Sequence, residues 1–515
     1  MSTELGRANV ELGDIRAEVA SQLEHLHWDV RHREVGVVTQ TGDGVAHLRG
    51  LPSAGYGELV RTSSGVTGMI FDVRPEELGI LFLDASESVS AGDEMHSLGR
   101  VASVAAGPEL LGRVVDVLGR PLDGGQPIHS NEFLPMEREA PAVAERRPVR
   151  TPLRTGTKVI DSLLPIGQGQ RELLLGDRST GKTALALDAI LAQRSSGVIC
   201  VYAALGQRKS TVAEVVATLK RGGALDHTIV LSADADAPAG QQYLAPYAAC
   251  SIAEYFMRAG RHSLIIYDSL TAHADIYRRI SLLFERPPGR EAYPPDVFYL
   301  HARLLERATR LRDDLGGGSL TALPIADTLG GNVAAYIPTN LISITDGQII
   351  LDSHLFNEGV RPAIDVGLSV SRVGGKAQPP ILRELASDLR LVYSQLNELE
   401  NFARFGAELE QEARARLERG RRVREAFKQV RLAPLTLLQE VGTLFAVREG
   451  YLDRIAVAEV SAFLSALCEE LRAVPADVEA SLYTDAHLSA ETEGMLRTAL
   501  KSVCGRRSER AHHES

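Results

Sequence analysis

At 515 residues, and roughly 150 residues per domain, the chain is expected to hold about three domains. Its 44% apolar and 24% charged residues exclude a wholly disordered, collagen-like or low-complexity polypeptide. A net charge of −11, with only 13 Tyr, 12 Phe and 1 Trp, argues against wrapping duplex DNA by bulk positive charge and against a stacking platform for single-stranded bases.

Along the chain, Ile15, Val19, Leu23 and Leu26 carry the spacing of a short amphipathic helix, docking either on the chain's own body or on a partner. His25, His27 and His32 lie nearby without a carboxylate or thiol at ligand spacing, which reads as surface rather than metal site. Residues 1–34 are therefore expected to form an N-terminal helix or arm. Short apolar runs at Val35–Val38, Val45–Leu51, Met69–Val73 and Ile80–Leu83 are separated by Gly- and Pro-containing turns and predict a small β-barrel over 35–99. From 100 to 380, the runs Glu172–Leu175, Val198–Ala203, Thr228–Leu231 and Leu264–Tyr267 alternate with helix-length segments. That alternation predicts a parallel sheet flanked by helices. Beyond it, 381–515 reads as a helical domain, with Glu408–Arg424 as a solvated face and the basic tail Arg506–Ser515 expected to be disordered.

The four cysteines, Cys200, Cys250, Cys468 and Cys504, form no Cys-x-x-Cys pair and read as reduced thiols. Met1–Glu18 lacks the apolar core of a secretory signal, and no segment reaches the ~18 apolar residues of a membrane span. A cytosolic chain is expected, held at a membrane only through partners.

The sharpest chemical signal is Gly176-Asp177-Arg178-Ser179-Thr180-Gly181-Lys182-Thr183, a complete G-x-x-x-x-G-K-[ST] placed between a strand-like run and the helical pattern Ala184–Leu191. Glycines let backbone N–H groups curl around phosphate oxygens at a helix N-terminus. Lys182 neutralises β/γ charge, and the Thr183 hydroxyl is suited to ligate Mg²⁺. A second apolar strand, Leu264-Ile265-Ile266-Tyr267, ends in Asp268, an acid suited to hold Mg²⁺ directly or through water. Together these motifs predict a P-loop site for ATP or ADP with Mg²⁺.

Longer matches carry a family resemblance from Val35 to about Tyr451. They are Pro165-Ile166-Gly167-Gln168-Gly169-Gln170-Arg171-Glu172, Gly206-Gln207-Arg208-Lys209-Ser210-Thr211-Val212 and Arg286-Pro287-Pro288-Gly289-Arg290-Glu291-Ala292-Tyr293-Pro294. Gly318-Ser319-Leu320-Thr321-Ala322-Leu323-Pro324, Ile337-Pro338-Thr339-Asn340 and Val366-Gly367-Leu368-Ser369-Val370-Ser371-Arg372 follow. In these the chain resembles the alpha subunits of F-type ATP synthases. The resemblance implies an alternating ring of three alpha and three beta subunits around a central gamma stalk, with the N-terminus at a peripheral stalk. It also implies contact with the membrane only through the membrane sector, at the cytoplasmic face of the bacterial inner membrane, and no nucleic-acid partner.

Where catalytic subunits of that ring carry Gly-Glu-Arg, this chain has Gly206-Gln207-Arg208, and an amide accepts no proton at physiological pH. The resemblance thus implies a nucleotide site that binds Mg-ATP without turning it over. The alternative is that Gln207 is a spectator and another carboxylate, such as Asp177, serves as base. Arg372 falls where the family places an arginine that reaches the γ-phosphate bound by the neighbouring beta subunit. Phe356 and Arg361-Pro362 match positions near the adenine of the non-catalytic site, or are packing residues. Gln429-Val430-Arg431 stands where the family has Gln-x-Gln, Ser179 replaces a Gln, and Ser269 replaces an Asp, departures that suggest a second-operon type of alpha subunit. Two rival readings remain at this level: a self-sufficient homohexameric export-type ATPase, and a ring-shaped RNA translocase. Neither the coupling ion, proton or sodium, nor the direction of ATP chemistry is encoded here.

Overall fold

A computed structural model describes residues 34–404, 411–474 and 476–513. The amphipathic pattern Ile15–Leu26 lies outside the described residues. Six strands, Val35–Gly42, Val45–Gly50, Glu58–Thr62, Thr67–Val73, Leu78–Phe82 and Glu94–Val101, close into a barrel in the order first, second, fifth, fourth, third, sixth. The last of them ends two residues beyond the expected boundary at 99. The first hairpin turns on Asp43 and Gly44, whose φ angles of 52° and 82° suit the twist of a two-residue connection. Val38, Leu48, Val60, Ile70, Ile80 and Phe82 fill the barrel, while Met69, Phe71 and Leu81 point outward into the core of the next domain. Burial on both faces is why Met69-Ile70-Phe71 reads as a continuous apolar run and not as an alternating one.

The central domain is built on an eight-stranded sheet. Its order is Val370–Ser371, Gly347–Leu351, Leu173–Gly176, Ser319–Asp327, His262–Asp268, Ile199–Leu205, Thr228–Ala233 and Val114–Val115. All neighbours are parallel except the edge strand Val370–Ser371, which runs antiparallel to Gly347–Leu351. Successive residues serve opposite faces: Cys200, Tyr202 and Ala204 join one core, and Ile199, Val201, Ala203 and Leu205 the other. The expected strands are therefore all present, each displaced by one or two residues because sheet pairing extends past the most apolar positions.

From Pro380–Ala386 onward the described chain is helical, through Leu389–Arg404, Gln411–Phe427, Leu437–Arg448, Val457–Leu471, Ala476–Ser481 and Ala490–His513. Thr436 opens the helix Leu437–Arg448 with a capping box closed by Gln439. The expectation of a disordered tail from Arg506 is corrected, since the backbone of the last helix continues to His513. Residues of this helical unit, such as Phe427, Leu437 and Val441, share one core with Leu185, Leu187 and Ile190 of the P-loop helix. That shared core brings the helical unit against the phosphate loop and shapes the cavity described next. Among the described residues, no helix is long and apolar enough to cross a membrane.

Candidate nucleotide site

The strand Leu173–Gly176 delivers the phosphate loop at the carboxyl end of the parallel sheet, and the helix Lys182–Leu191 leaves it. Two glycines are required here. A Cβ on Gly176 would lie 2.5 Å from the Leu351 carbonyl oxygen, and Gly181 has a φ of 105°. The Lys182 ammonium, only 6% exposed, arches back over the loop. It donates to the carbonyls of Gly176 and Asp177 at 2.8 and 2.6 Å and pairs with Asp327 at 3.0 Å. The Thr180 hydroxyl donates to the Asp177 carbonyl at 2.8 Å. Arg178 stands exposed with its Nε 3.5 Å from Asp327.

The Asp177 carboxylate is turned to the neighbouring loop, where it accepts from the Thr328 hydroxyl at 2.6 Å and the Gly331 N–H at 2.9 Å. The Thr328 hydrogen bond, then that of Gly331, hold it below the usual carboxylate range. Both interactions favour the anion while occupying the oxygens, which leaves Asp177 poorly arranged to take a proton from water.

At the other side of the loop, the Thr183 hydroxyl donates to Asp268 Oδ2 at 2.7 Å, and the Tyr202 hydroxyl donates to the same oxygen at 2.8 Å. Gln207 Nε2 donates to the Asp268 carbonyl at 3.0 Å, whereas Gln207 Oε1 is buried without a hydrogen-bond partner. Burial raises the Asp268 carboxyl above its ordinary value, against the pull of the Thr183 and Tyr202 hydrogen bonds. Thr183 Oγ1 and Asp268 Oδ2, in hydrogen-bond contact, form an all-oxygen pair that suits Mg²⁺, which keeps waters and phosphate oxygens as its other ligands. Among the described residues, no group of three or more His, Cys, Asp or Glu side chains forms a metal cage.

A cavity of about 690 Å³ runs from Ser179, Thr180 and Gly181 past Phe356, Arg361 and Gln429 to the helix Val457–Leu471. The structure thus brings together the phosphate loop and the three residues expected near the base. The Arg361 guanidinium lies over the Phe356 ring, 4.6 Å from its centroid, so these two pack on each other at the cavity wall. Gln429 lines the cavity, with both amide hydrogens and one lone pair of its oxygen bonded to backbone. Nε2 donates to the carbonyls of Gly156 at 2.7 Å and Ala433 at 3.0 Å, and Oε1 accepts from the Lys158 N–H at 3.0 Å.

Asp188, one and a half turns along the P-loop helix, also lines this cavity and was not expected from its sequence context. Burial pushes its carboxyl up to about 7, opposed by the N–H groups of Leu432 and Ala433. An unfolded Asp ionises near 3.9, so the native chain holds the extra proton between about pH 4 and 7 and loses stability across that window as pH rises. Asp188→Asn is expected to raise the denaturant midpoint at pH 8 by the equivalent of about 1–3 kcal/mol and to leave it unchanged near pH 3.5. Unfolding curves at the two pH values check this.

Arg372 is not in this site. It follows the edge strand, where Ser371 pairs with Gly347 at the amino end of Gly347–Leu351, whereas Gly176 of the phosphate loop pairs with Leu351 at the carboxyl end. Those ends are about 13 Å apart along the strand. Arg372 is exposed, and among the described residues its guanidinium donates to the Ile342 carbonyl, at 3.4 Å. Behind it, Gln170 Nε2 bridges Glu172 Oε2 at 2.6 Å and Ser371 Oγ at 3.2 Å. Tyr202 and Asp327 are site residues that pattern reading missed. Asp327 ends an apolar strand just as Asp268 does and was detectable on that ground, whereas Tyr202 lies inside an apolar run with no distinguishing signal.

Two family models match this chain: the nucleotide-binding domain of the ATP synthase alpha/beta family over residues 156–371, and the C-terminal domain of the ATP synthase alpha/beta chain over 378–503. ATP synthase subunit alpha of Dehalococcoides mccartyi is 49% identical over 488 residues, covering 95% of this chain and 97% of the relative. ATP synthase subunit alpha 2 of Albidiferax ferrireducens is 52% identical over 459 residues, covering 89% and 86%. ATP synthase subunit alpha 1 of Rhodopirellula baltica is 50% identical over 463 residues, covering 90% and 92%. With a barrel, a P-loop sheet and a helical unit in this order, the chain belongs to the ATP synthase alpha/beta family, as a member of its F-type alpha-subunit group.

Proposed function

We propose that this chain is the regulatory, non-catalytic alpha subunit of a rotary proton- or sodium-translocating ATP synthase, binding Mg-ATP at its own P-loop and lending Arg372 to the catalytic site of an adjacent beta subunit. The observation that carries the reading is the separation of two functions on one sheet. A complete phosphate and Mg²⁺ set lies at the carboxyl end without a free carboxylate base, while an exposed arginine lies at the opposite end, out of reach of that set. Gln207, hydrogen-bonded to the Asp268 carbonyl, orients its amide at the place where a carboxylate would have to accept the proton of attacking water.

In this chain's site Lys182 and the loop N–H groups would bind phosphate oxygens, and Thr183 and Asp268 would hold Mg²⁺, which would supply charge neutralisation on the phosphates. The Lys182–Asp327 pair must open for the ammonium to reach a phosphate. The ring of three alpha and three beta subunits, the gamma stalk through its centre, a peripheral stalk at the N-terminus and a place at the cytoplasmic face of the bacterial inner membrane belong to the same reading. A relative named alpha 2 supports a second-operon type.

The test is turnover of the purified chain and of the reconstituted complex. Alone, the chain is expected to bind Mg-ATP and hydrolyse it negligibly. In the complex, Lys182→Ala is expected to abolish binding at this site and to spare the first turnover at beta. Vigorous hydrolysis by the chain alone, or loss of that first turnover, would overturn the reading.

A further inference from the structure

The Asp268 carboxylate is held by a tyrosine as well as by the phosphate loop. Tyr202 is the central residue of the strand Ile199–Leu205, which has a neighbour on either side in the sheet. Its side chain is fully buried and belongs to the same core as Leu185 and Ile190 of the P-loop helix. The strand runs parallel to His262–Asp268, with Tyr202 opposite Ile266 and Ala204 opposite Asp268. Tyr202 is therefore two residues short of the carboxylate, about 7 Å along the strand. A phenol spans that distance, whereas a Ser or Thr hydroxyl does not, and the Tyr202 hydroxyl donates to Asp268 Oδ2 at 2.8 Å.

The same hydroxyl accepts from Gln207 Nε2 at 3.3 Å, and that nitrogen also donates to the Asp268 carbonyl at 3.0 Å. Hydrogen bonds thus run in one direction, from Gln207 through Tyr202 to the carboxylate, where Thr183 donates from the loop to the same oxygen at 2.7 Å. With its one hydrogen committed to Asp268, Tyr202 turns only lone pairs to position 207, so a donor is the group that fits there. Of the two hydroxyls on Oδ2, that of Thr183 stands on a loop that must also receive phosphate. That of Tyr202 is fixed by a buried ring on an inner strand, and a metal-ligating carboxylate takes its orientation from such outer partners. We infer that Tyr202 is a positioning residue for the Mg²⁺ pair: without touching metal or phosphate, it holds Asp268 Oδ2 in place beside Thr183 and so sets the metal affinity of this site. The inference rests on the reading of the P-loop as a site for Mg-nucleotide, and adds the residue that tunes its metal.

Isothermal titration of the full-length chain with ATP, in EDTA and over a series of free Mg²⁺ concentrations, tests it. In Tyr202→Phe the free Mg²⁺ needed for half-maximal tightening of ATP binding is expected to rise by about 10–100-fold, the usual cost of losing the partner of a ligating carboxylate. Affinity in EDTA is expected to stay within about twofold, and Tyr202→Phe added to Asp268→Asn is expected to change the Mg²⁺ dependence no further. An unchanged Mg²⁺ dependence in Tyr202→Phe overturns the inference. So does an equal loss with and without Mg²⁺, or a lost thermal transition, either of which would make the hydroxyl a support of the fold alone. A further loss on top of Asp268→Asn would put the hydroxyl to work on another partner and overturns it too. Failure of the unaltered chain to bind ATP, or binding indifferent to Mg²⁺ or to Lys182→Ala, overturns the nucleotide reading itself and is distinct from a failure confined to Tyr202→Phe.

Discussion

Replacing Arg372 by Ala in the assembled complex is expected to lower multi-site ATP turnover by about 10³–10⁵, the usual worth of a guanidinium supplied to a transferring phosphoryl group. Three features of the chain support an effect of that size at a neighbour's site and none at its own. The side chain is exposed, its guanidinium donates to the Ile342 carbonyl at 3.4 Å, and it sits at the amino end of the sheet while the phosphate loop sits at the carboxyl end. The Gln170 bridge to Glu172 and Ser371 gives the arginine a braced base, and the Ser371 hydroxyl is itself anchored on the Pro165 carbonyl at 2.8 Å. A guanidinium reaching out from such a base reaches a fixed point without reorganising during the reaction. Nucleotide binding at the chain's own loop is expected to stay within twofold, since nothing there touches Arg372. Steady-state turnover of the complex, set beside equilibrium binding to the same variant, separates the two effects. Equal losses in both would mean that Arg372 supports the fold rather than the neighbouring site.

The second large effect is on stability. Arg307 is fully buried and forms a fork with Glu254, Nε to Oε1 and Nη2 to Oε2, both at 2.9 Å. Its remaining N–H groups reach the Met136 carbonyl at 2.8 Å and the Ser251 hydroxyl at 2.7 Å, so one side chain ties the helix Ala239–Arg258 to the segment after Glu132–Pro135. Arg307→Ala leaves the Glu254 carboxylate buried with only Arg138, 3.7 Å away, and is expected to destabilise the central domain by about 3–5 kcal/mol. Removing both partners, as Arg307→Met with Glu254→Leu, is expected to recover most of that loss, because no buried charge is then left alone. Guanidinium unfolding of the two variants beside the parent chain, followed by far-UV circular dichroism, measures it. A single variant within about 1 kcal/mol of the parent chain would mean that water or Arg138 takes over the carboxylate, against the named mechanism.

Much of the candidate site was legible in order along the chain. The phosphate loop, Thr183 and Asp268 are contiguous with strands whose apolar runs announce them, and local chemistry decides their conformation. Gln207 was singled out because an amide stands where proton transfer needs a carboxylate. The structure adds that its Nε2 is held on the Asp268 carbonyl while its Oε1 remains unpaired. Gln429 shows the opposite case. Its residue type suggested base recognition, yet whether an amide reads a ligand or a backbone depends on which carbonyls lie within 3 Å, and those belong to residues 156 and 433, distant in sequence or set by a turn. Asp188 and Tyr202 carried no signal because burial and convergence on a cavity are properties of packing, not of neighbours in the chain.

The sequence by itself therefore determined the barrel, the P-loop sheet and the helical unit, and the family to which they belong. Hydrophobic period, turn residues and a phosphate-binding loop are local, and each acts over a few residues. Only the tertiary structure decided that Arg372 and the phosphate loop sit at opposite ends of one sheet. It also decided that the Asp177 carboxylate is tied to the loop at Thr328 and Gly331, and that the Gln429 amide is held by the backbone of Gly156, Ala433 and Lys158. Those outcomes follow from strand order and from a core shared between the P-loop helix and the helical unit, which bring together residues hundreds of positions apart and give each polar group its partner or leave it without one.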